Sequence, residues 1–382
     1  MTTTARAEFR ILHISDLHIG NHNAALAESL TARVERLKPH VILATGDLAD
    51  SPNKKHLLEA KRLLDSLASV CVDCASAGAP RLIVLPGNHD KMFLGNVMVL
   101  RNTFKKVFGE TATSFYYPED RVWIYALDSA RAGIFGANGF VPEMALSALE
   151  VEYLRLQKDN PERFTERVFK IVALHHHPLP VNDSNRQAEL QRWLTLMNAG
   201  ALLGAALTHE FDLILHGHEH IDARSTFRSS FGGKRDVHVV SVGATLKNGG
   251  ANYMNLVRIG PEHQVEIETF QTAGAAFDKE PVNRSIRSVR EARDLAFETE
   301  SKERGYYYRE VASTTILSAD GDCRRIVECD GLDISKPDTA QPHISKLRLA
   351  ATTGEIDLKR VAARRRRGRV LPDLRINIPT NS

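Results

Sequence analysis

Five short segments of the sequence combine histidine with acidic or amide side chains, which are residue types that bind divalent metals. In chain order they are His13–His18, Thr45–Asp50, Pro86–Asp90, His175–Pro178 and His216–His220. Imidazole, carboxylate and amide groups without a thiolate suit manganese, iron or zinc, and they are too rich in nitrogen for a calcium or magnesium cage. The candidate ligands also exceed what one tetrahedral zinc needs. The segments therefore predict two divalent metals, about 3.5–4 Å apart, that share a carboxylate and favour in-line attack on phosphorus.

The spacing inside the segments predicts that side chains converge. Residues two apart in an extended chain lie on the same side, so Asp16 and His18 converge, and so do His218 and His220. Glycines in the second, third and fifth segments allow the backbone to turn tightly beside a metal. A single Asp-x-His pair, or a lone buried histidine such as His13, is more often structural than functional. The ordered set of five is what favours a metal site.

Each of these segments stands at the end of a predicted strand. The runs that predict strands are Arg10–Ile14, Val41–Ala44, Arg81–Leu85, Val122–Ala126, Phe169–Leu174, Asp212–Leu215, Val237–Val242 and Asn255–Ile259. The helical patterns between them are Ala24–Leu37, Lys54–Ala75, Pro142–Gln157 and Ser184–Ala206. Alternating strands and helices predict an α/β fold, by default one doubly wound sheet, in which ligands gather at the carboxyl ends of the strands.

The pattern changes after about residue 270. Asn283–Arg304 predicts a charged helix with little apolar face, while Tyr306–Leu317 and Cys323–Cys329 flank an Asp-Gly turn that predicts a hairpin. Ile344–Ala350 and Glu355–Leu358 predict further strands. We therefore expect a small β-rich unit at the end of the sequence.

The net charge of +3 hides an asymmetry along the chain. Residues 1–280 hold 30 basic and 32 acidic side chains, whereas residues 281–382 hold 20 and 15. The excess of basic side chains in residues 281–382 comes from a run of arginines, Arg364–Arg367 and Arg369. Such a run predicts either a protein or nucleic-acid partner or a solvated basic tail.

The composition excludes several classes of protein. With 43% hydrophobic and 25% charged residues, the chain is neither largely disordered nor collagen-like. Four cysteines are too few for a disulfide framework, and Cys71 and Cys74 lie in a helical stretch where packing is favoured over metal binding. The Thr-rich start lacks the apolar core of a signal peptide, and no stretch reaches the ~20 apolar residues of a membrane span. We expect a cytoplasmic protein without membrane contact.

Taken in order, the segments resemble the signature of the calcineurin-like metallophosphoesterase superfamily. The matching motifs are Asp16-x-His18, Gly46-Asp47, Gly87-Asn88-His89-Asp90, a histidine before Pro178, and Gly217-His218-x-His220. The resemblance covers roughly residues 9–270 and implies a two-sheet β-sandwich flanked by helices in place of the single doubly wound sheet. On this basis we expect three parts: a metallophosphoesterase domain at 1–272, a linker with a charged helix at 273–305, and a β-rich accessory domain with the arginine run at 306–382.

The resemblance also implies which residues bind the two metals. One metal would be held by Asp16, His18, Asp47 and His220. The other would be held by Asp47, Asn88, His218 and a histidine of the fourth segment. The family places that histidine two residues before the proline, which is His176, and the neighbours His175 and His177 remain alternatives.

The implied chemistry is attack on phosphorus by a hydroxide that bridges the metals. His89 would act on the substrate phosphate or the leaving oxygen, and Asp90 would orient His89. Asp50 stands where purple acid phosphatases have a ligating tyrosine, so we expect it to orient a neighbour or a turn and not to bind metal. The cofactors implied are two divalent ions, manganese first, with iron, zinc or nickel as alternatives.

The substrate expected from these residues is a phosphodiester. Ala173–Pro180 resembles the class III cyclic-nucleotide phosphodiesterases of bacteria, which favours a cyclic or small nucleotide. Leu17–Gly20 resembles the SbcD-like DNA nucleases, so a DNA or RNA nuclease, or the nuclease subunit of a complex recruited through 306–382, is the alternative. A binding scaffold is disfavoured for the first 270 residues because no ligand is missing. Neither a Gly-x-Ser-x-Gly elbow nor a Gly-Lys-Ser/Thr phosphate loop occurs.

Overall fold

The computed structural model describes most of the first 284 residues and paired strands beyond them. The described residues are 8–72, 79–93, 97–98, 103–109, 113–130, 137–159, 168–179, 194–228, 236–261, 263–273, 276–278, 280–284, 306–317, 323–334, 357–360, 364–366, 369–371 and 374–377. The chain divides into two compact units, Met1–Phe227 with Arg235–Arg287, and Arg228–Lys234 with Ser288–Ser382. The three-part division at 272 and 305 stays a prediction.

Two β-sheets form the first unit. The first sheet has the order β14 (Ala276–Phe277), β13 (Val265–Ala273), β12 (Tyr253–Ile259), β1 (Phe9–Ile14), β2 (Val41–Ala44) and β3 (Leu82–Val84), with β15 (Asn283–Arg284) also paired to β13. The second sheet has the order β10 (Ala223–Arg228), β11 (Asp236–Ser241), β9 (Leu213–His216), β8 (Phe169–Ala173), β7 (Val122–Ala126) and β6 (Ser114–Tyr117). Within the first sheet β1, β2 and β3 are parallel, and within the second β7, β8, β9 and β11 are parallel. Parallel neighbours bring their carboxyl ends to one edge of each sheet.

Helices connect and cover these strands. They are α1 (Ala24–Leu37), α2 (Lys54–Ser69), α3 (Asn88–Lys91), α4 (Thr103–Phe108), α5 (Glu143–Asp159) and α6 (Ala199–Thr208), and the short strands β4 (Met92–Phe93) and β5 (Val97–Met98) pair with each other. Helix α1 begins after Asn23, whose side chain accepts the Ala25 N–H at 3.1 Å, and it ends at Lys38 in the left-handed conformation. Its buried face is a stripe at helical spacing: Leu26, Leu30, Val34 and Leu37.

The sheets are buried on both faces, so alternate residues of a strand enter different apolar layers. Ile11 and Leu43 lie in the layer between the two sheets, whereas Leu12 faces the layer that contains the buried faces of α1 and α2. In the second sheet Ile124 belongs to the layer between the sheets, and Trp123 belongs to the layer shared with α5 and α6. The order helix, sheet, sheet, helix confirms the predicted two-sheet sandwich and corrects the single doubly wound sheet.

Most predicted elements of this unit are present, and three differ. Each predicted strand between residues 10 and 259 exists, with ends within two residues of those expected. Helix α2 ends at Ser69 and not at Ala75, and α6 begins at Ala199, while most of the earlier part expected from Ser184 lies outside the described residues. Asn283–Arg284 form a short strand where a helix was expected, because they pair with β13. The remainder of that predicted helix lies outside the described residues.

The second unit contains paired antiparallel strands. β16 (Tyr306–Leu317) pairs with β17 (Cys323–Ile334), which confirms the predicted hairpin. β18 (Asp357–Arg360) pairs with β21 (Leu374–Asn377), and β19 (Arg364–Arg366) pairs with β20 (Arg369–Leu371). The predicted strand Ile344–Ala350 lies outside the described residues. Among the helices that the structure describes, none is long and apolar enough to cross a membrane.

Candidate metal centre

The five segments lie at the carboxyl ends of parallel strands from both sheets. The loops after β1 and β2 are joined by a hydrogen bond from the Asp16 N–H to the Gly46 carbonyl at 2.9 Å. The loop after β9 approaches them from the second sheet, since a Cβ added to Gly217 would lie 1.9 Å from Ser15 Oγ. The sandwich therefore brings loops of the two sheets together at one place, as the sequence predicts.

The first group of ligand atoms comes from Asp16, His18 and His220, within 4.8 Å of one another. Nε2 of His220 lies 3.3 Å from Asp16 Oδ1 and 3.0 Å from Nε2 of His18. Atoms bound at about 2.1 Å to one metal would lie about 3.0 Å apart in octahedral and about 3.4 Å apart in tetrahedral geometry. Asp16 Oδ1 is buried and accepts no hydrogen bond from the described residues. The group therefore fits a cation.

The second group forms around Nε2 of His175. This nitrogen lies 3.1 Å from Asn88 Oδ1, 3.1 Å from His218 Nδ1 and 3.4 Å from Asp47 Oδ2. The same spacing argument shows that these atoms fit one metal. Asp16, Asp47 and His175 also form a group of ligand atoms within 4.8 Å, so the two groups adjoin.

The three histidines of the fourth segment have different neighbours. Nδ1 of His175 donates to the Thr45 carbonyl at 2.7 Å, so Nε2 is the nitrogen that is available to bind metal. His176, the expected ligand, instead has Nδ1 at 2.9 Å from Ser129 Oγ, although its ring also lies 4.5 Å from that of His218. His177 is buried, with Nδ1 3.9 Å from a Glu219 oxygen. His175 therefore contacts Asp47 and Asn88, but ligand atoms of His175, His176 and His218 also lie within 4.8 Å of one another, so which of the histidines binds metal stays a prediction.

Backbone strain coincides with the predicted ligands. Nine described residues other than glycine have a positive φ, in the region that costs a side chain free energy. Five of the nine are residues of the two groups, namely Asp16 (54°), His18 (46°), Asp47 (50°), His218 (81°) and His220 (57°). Strain of this kind persists where surrounding structure enforces it, and it clusters at functional sites.

In the centre, burial and nearby charges shift the pKa values of the buried side chains in opposite directions. Burial raises the pKa of the Asp16 carboxyl, but the nearby charge of His220 and other histidines lowers it to about 2. The pKa of Asp47 also falls well below its usual value, because the charges of His175 and His89 outweigh burial. Burial lowers the pKa of His175, but Asp47 raises it to about 9. Two buried carboxylates are thus anionic at neutral pH and require cations, which bound metals supply in place of protons.

His89 and its neighbours lie beside the second group. The His89 backbone N–H donates to Asp47 Oδ1 at 2.8 Å, and its ring Nδ1 donates to the Asp50 carbonyl at 2.9 Å. Asp90, expected to orient His89, accepts the backbone N–H groups of Gly87, Leu48 and Ala49 at 2.8, 3.2 and 2.9 Å. Asp90 therefore joins the second and third segments, while the Asp50 carbonyl holds the ring of His89.

Asp50 and Lys247 contact the histidines of the first group. Asp50 Oδ1 lies 3.5 Å from His18 Nδ1, on the far side of the ring from Asp16. Nζ of the exposed Lys247 lies 3.0 Å from Nδ1 of His220. Sequence reasoning missed Lys247, since it stands 27 residues beyond His220 and in no motif. It also missed the ion pair between Lys91 and Asp128 near the third segment.

Several solved structures are similar to this chain. A single mutant of Vps29 from Entamoeba histolytica is 13% identical with a TM-score of 0.34, covering 72% of this chain and 98% of that one. A purple acid phosphatase from yellow lupin (Lupinus luteus) seeds is 12% identical with a TM-score of 0.47, covering 71% of this chain and 52% of that one. Phosphopantetheinyl hydrolase from Mycobacterium tuberculosis is 15% identical with a TM-score of 0.35, covering 62% and 90%. At these identities no activity carries over to this chain.

Family membership follows from the sequence. No curated protein matches the chain. The sequence model of the calcineurin-like phosphoesterases matches residues 9–222, which is more than half of the 382 residues and includes all five segments. The superfamily that the five segments indicated is thereby confirmed. The chain belongs to the calcineurin-like phosphoesterase family, whose members act on phosphoric esters.

Proposed function

We propose that this chain is a two-metal phosphodiesterase that hydrolyses cyclic or small nucleotides. The observation that carries the proposal is the pair of adjoining ligand groups, one around His220 and one around His175. Both groups hold imidazole and carboxylate atoms at distances that suit a divalent cation. Two cations suit a phosphodiester substrate because their positive charge offsets the negative charge of the phosphate group, which otherwise repels a nucleophile.

We assign one metal to Asp16, His18, Asp47 and His220. The second is assigned to Asp47, Asn88, His175 and His218, with His175 in place of His176. Asp47 would contribute to both, as its position between the groups allows. The absence of thiolates favours manganese, with iron, zinc or nickel as the other metals to test.

The bound cations would supply an acidified water and would neutralise the phosphoryl oxygens. The chain's own contribution to proton transfer comes from His89. The N–H at Nδ1 of His89 donates to the Asp50 carbonyl. A proton that His89 gives to a leaving oxygen would therefore come from Nε2. Asp50 thus fixes which nitrogen of His89 faces the reaction.

Small nucleotides are proposed as substrates because Ala173–Pro180 resembles the class III cyclic-nucleotide phosphodiesterases. A nuclease acting on DNA or RNA is the alternative, and the same assay separates the two. The protein loaded with manganese is given cyclic AMP, single- and double-stranded DNA, and RNA side by side. Turnover of cyclic AMP alone supports the first substrate class, and turnover of nucleic acid alone replaces it with the second. The cytoplasmic location stays a prediction based on the low cysteine count.

The activity itself is tested with bis-p-nitrophenyl phosphate and manganese. Asp47→Asn removes a charge that both metals would share, so we expect loss of hydrolysis by a factor of about 10³ or more. Asp65→Asn is the matched control, since Asp65 is an exposed carboxylate of α2 paired with Lys61. His218→Ala is expected to be equally inactive. Full activity in both Asp47→Asn and His218→Ala would refute the assignment.

A further inference from the structure

Lys247 is an exposed, positively charged residue beside the candidate metal centre, and the hydrolysis described above gives it no role. It lies between β11 and β12, with Nζ 3.0 Å from Nδ1 of His220. Among the residues that the structure describes, no carboxylate forms an ion pair with Lys247. A cation next to a group of metal ligands is repelled by the metal, unless an anion binds between the two charges.

The backbone at Lys247 is held in place from two sides. Lys247 pairs with His22 in an isolated antiparallel bridge, and the carbonyl of Leu246 accepts the Asn23 N–H at 2.9 Å. On the other side, Nδ2 of Asn252 donates to the Lys247 carbonyl at 3.1 Å. The side chain therefore starts from a fixed point, and its flexible four-carbon stem sets where the ammonium group lies.

The contact between Lys247 and His220 is incompatible with metal binding by His220. An ammonium group only donates hydrogen bonds, so Nδ1 of His220 accepts in this contact, and a neutral ring then has its proton at Nε2. Nε2 is the nitrogen that lies next to Asp16 and His18, and it binds a metal through its lone pair. Once Nε2 binds a metal, the proton of the ring is at Nδ1. Lys247 must therefore release His220 when His220 binds metal.

The released ammonium group lies on the side of the first ligand group that solvent reaches. The side chain of His220 is 21% exposed, whereas those of His18 and Asp16 are 7% and 0% exposed. A ligand from solution therefore reaches this group past His220, where Lys247 is the neighbouring charge. Beyond His18, the neighbouring charge is the half-exposed carboxylate of Asp50, which repels anions.

We propose that Lys247 is a substrate-binding residue, whose ammonium group leaves His220 and binds a non-bridging oxygen of the substrate phosphate. This inference rests on the proposed function, because it requires a phosphate group at the metal centre. A phosphate oxygen is an anion that accepts charge-assisted hydrogen bonds, so it offsets the repulsion between Lys247 and the metal. A role in orienting the metal-bound ring of His220 is excluded, since Nδ1 then has no lone pair to accept a hydrogen bond.

The test measures binding of inorganic phosphate to the full chain loaded with manganese. Lys247→Met keeps a long stem and removes the charge, so phosphate affinity should fall by about 10–100-fold. Manganese affinity, measured by calorimetry on the metal-free chain, should be unchanged or higher, because a nearby positive charge is removed. A residue that only supports the ligand histidine would show the reverse, with weaker manganese binding.

Two variants serve as controls for the charge. Lys247→Arg keeps the positive charge and should retain phosphate binding. Lys158→Met removes an exposed charge from α5, a helix without a proposed metal ligand, and should leave both affinities unchanged. With bis-p-nitrophenyl phosphate, Lys247→Met should raise KM more than it lowers kcat, since the phosphoryl oxygen is bound both before and during the reaction.

Several outcomes overturn the proposal. They are full phosphate affinity or weaker manganese binding in Lys247→Met, and loss of phosphate binding in Lys247→Arg or in Lys158→Met. Absence of phosphate binding by the unchanged chain overturns it too. Because phosphate binding needs no turnover, a chain that binds phosphate through Lys247 and does not hydrolyse the diester refutes the proposed function alone.

Discussion

Asp47 holds the two ligand groups of the centre together. Its Oδ2 lies 3.4 Å from His175 Nε2, and its Oδ1 accepts the backbone N–H of His89 at 2.8 Å. Since the Asp47 side chain is almost fully buried, each of its oxygens must be satisfied inside the protein. The same carboxylate therefore positions a proposed ligand histidine and the loop that carries the proposed proton donor.

The three consecutive histidines give a prediction about metal stoichiometry. His175→Ala removes the nitrogen that lies 3.1 Å from Asn88 and from His218, so the second metal should be lost. His176→Ala removes a ring hydrogen-bonded to Ser129 and should keep both metals, with affinity reduced by about 10–100-fold. Elemental analysis after dialysis against manganese measures the number of ions bound. Two ions in His175→Ala and one in His176→Ala would reverse our assignment.

The proposed role of His89 predicts a dependence on the leaving group. If His89 protonates the leaving oxygen from Nε2, then His89→Ala should slow hydrolysis by about 10²–10⁴ for an alkoxide leaving group. The loss should be much smaller for p-nitrophenolate, which leaves without a proton. The measurement is kcat for the two classes of diester, with metal content determined in parallel. An equal loss for both leaving groups, with both metals retained, would contradict proton donation by His89.

At the scale of elements, the centre depends on close contact between loops of two sheets. The loop after β9 reaches the loop after β1 at Gly217, where an added Cβ would lie 1.9 Å from Ser15 Oγ and 2.7 Å from Asp16 Oδ2. Neither neighbour can move freely, because Ser15 and Asp16 are fully buried. The absence of a side chain at position 217 is therefore what lets the sandwich close over the metal ligands.

Gly217→Ala should consequently impair both stability and metal binding. Forcing a methyl group into this contact should lower the free energy of unfolding by about 1–3 kcal/mol. Gly204→Ala is the matched control, because Gly204 lies inside α6 with nothing within 4 Å of an added Cβ, and alanine there should stabilise by about 0.5–1 kcal/mol. Urea denaturation measures the stabilities, and calorimetry measures manganese affinity. Unchanged manganese affinity in Gly217→Ala would show that the loops after β1 and β9 can move apart without weakening metal binding.

The elements that the sequence predicted best are those with a strong local pattern. Strands buried on both faces, such as Val41–Ala44, have continuous apolar runs, and α1 has both a cap and a buried stripe. Two edge strands were missed: β6 (Ser114–Tyr117), which has only four residues, and β10 (Ala223–Arg228), which has many polar residues. Which of His175–His177 lies beside Asp47 and Asn88 was not decidable from the sequence, since it depends on which side of the chain each ring occupies.

For the whole molecule, charge and chemistry are divided between the two units. The acidic and histidine side chains of the proposed metal centre belong to Met1–Phe227, and the run Arg364–Arg367 with Arg369 belongs to Ser288–Ser382. The net charge of +3 is thus an average over a slightly acidic first unit and a basic second unit. A divalent metal bound at the proposed centre should therefore stabilise the first unit.

This division predicts that metal stabilises the first unit through Asp47. Trp123 is buried in the first unit, and residues 228–234 and 288–382 contain no tryptophan, so tryptophan fluorescence follows the unfolding of the first unit. Manganese at 100 times its dissociation constant should add about 2.7 kcal/mol to the stability and raise the unfolding midpoint. Asp47→Asn should abolish the increase, whereas Asp65→Asn, at an exposed carboxylate of α2, should retain it in full. Because a metal bound elsewhere would stabilise Asp47→Asn equally, an unchanged increase in that variant would place the cations outside the proposed centre.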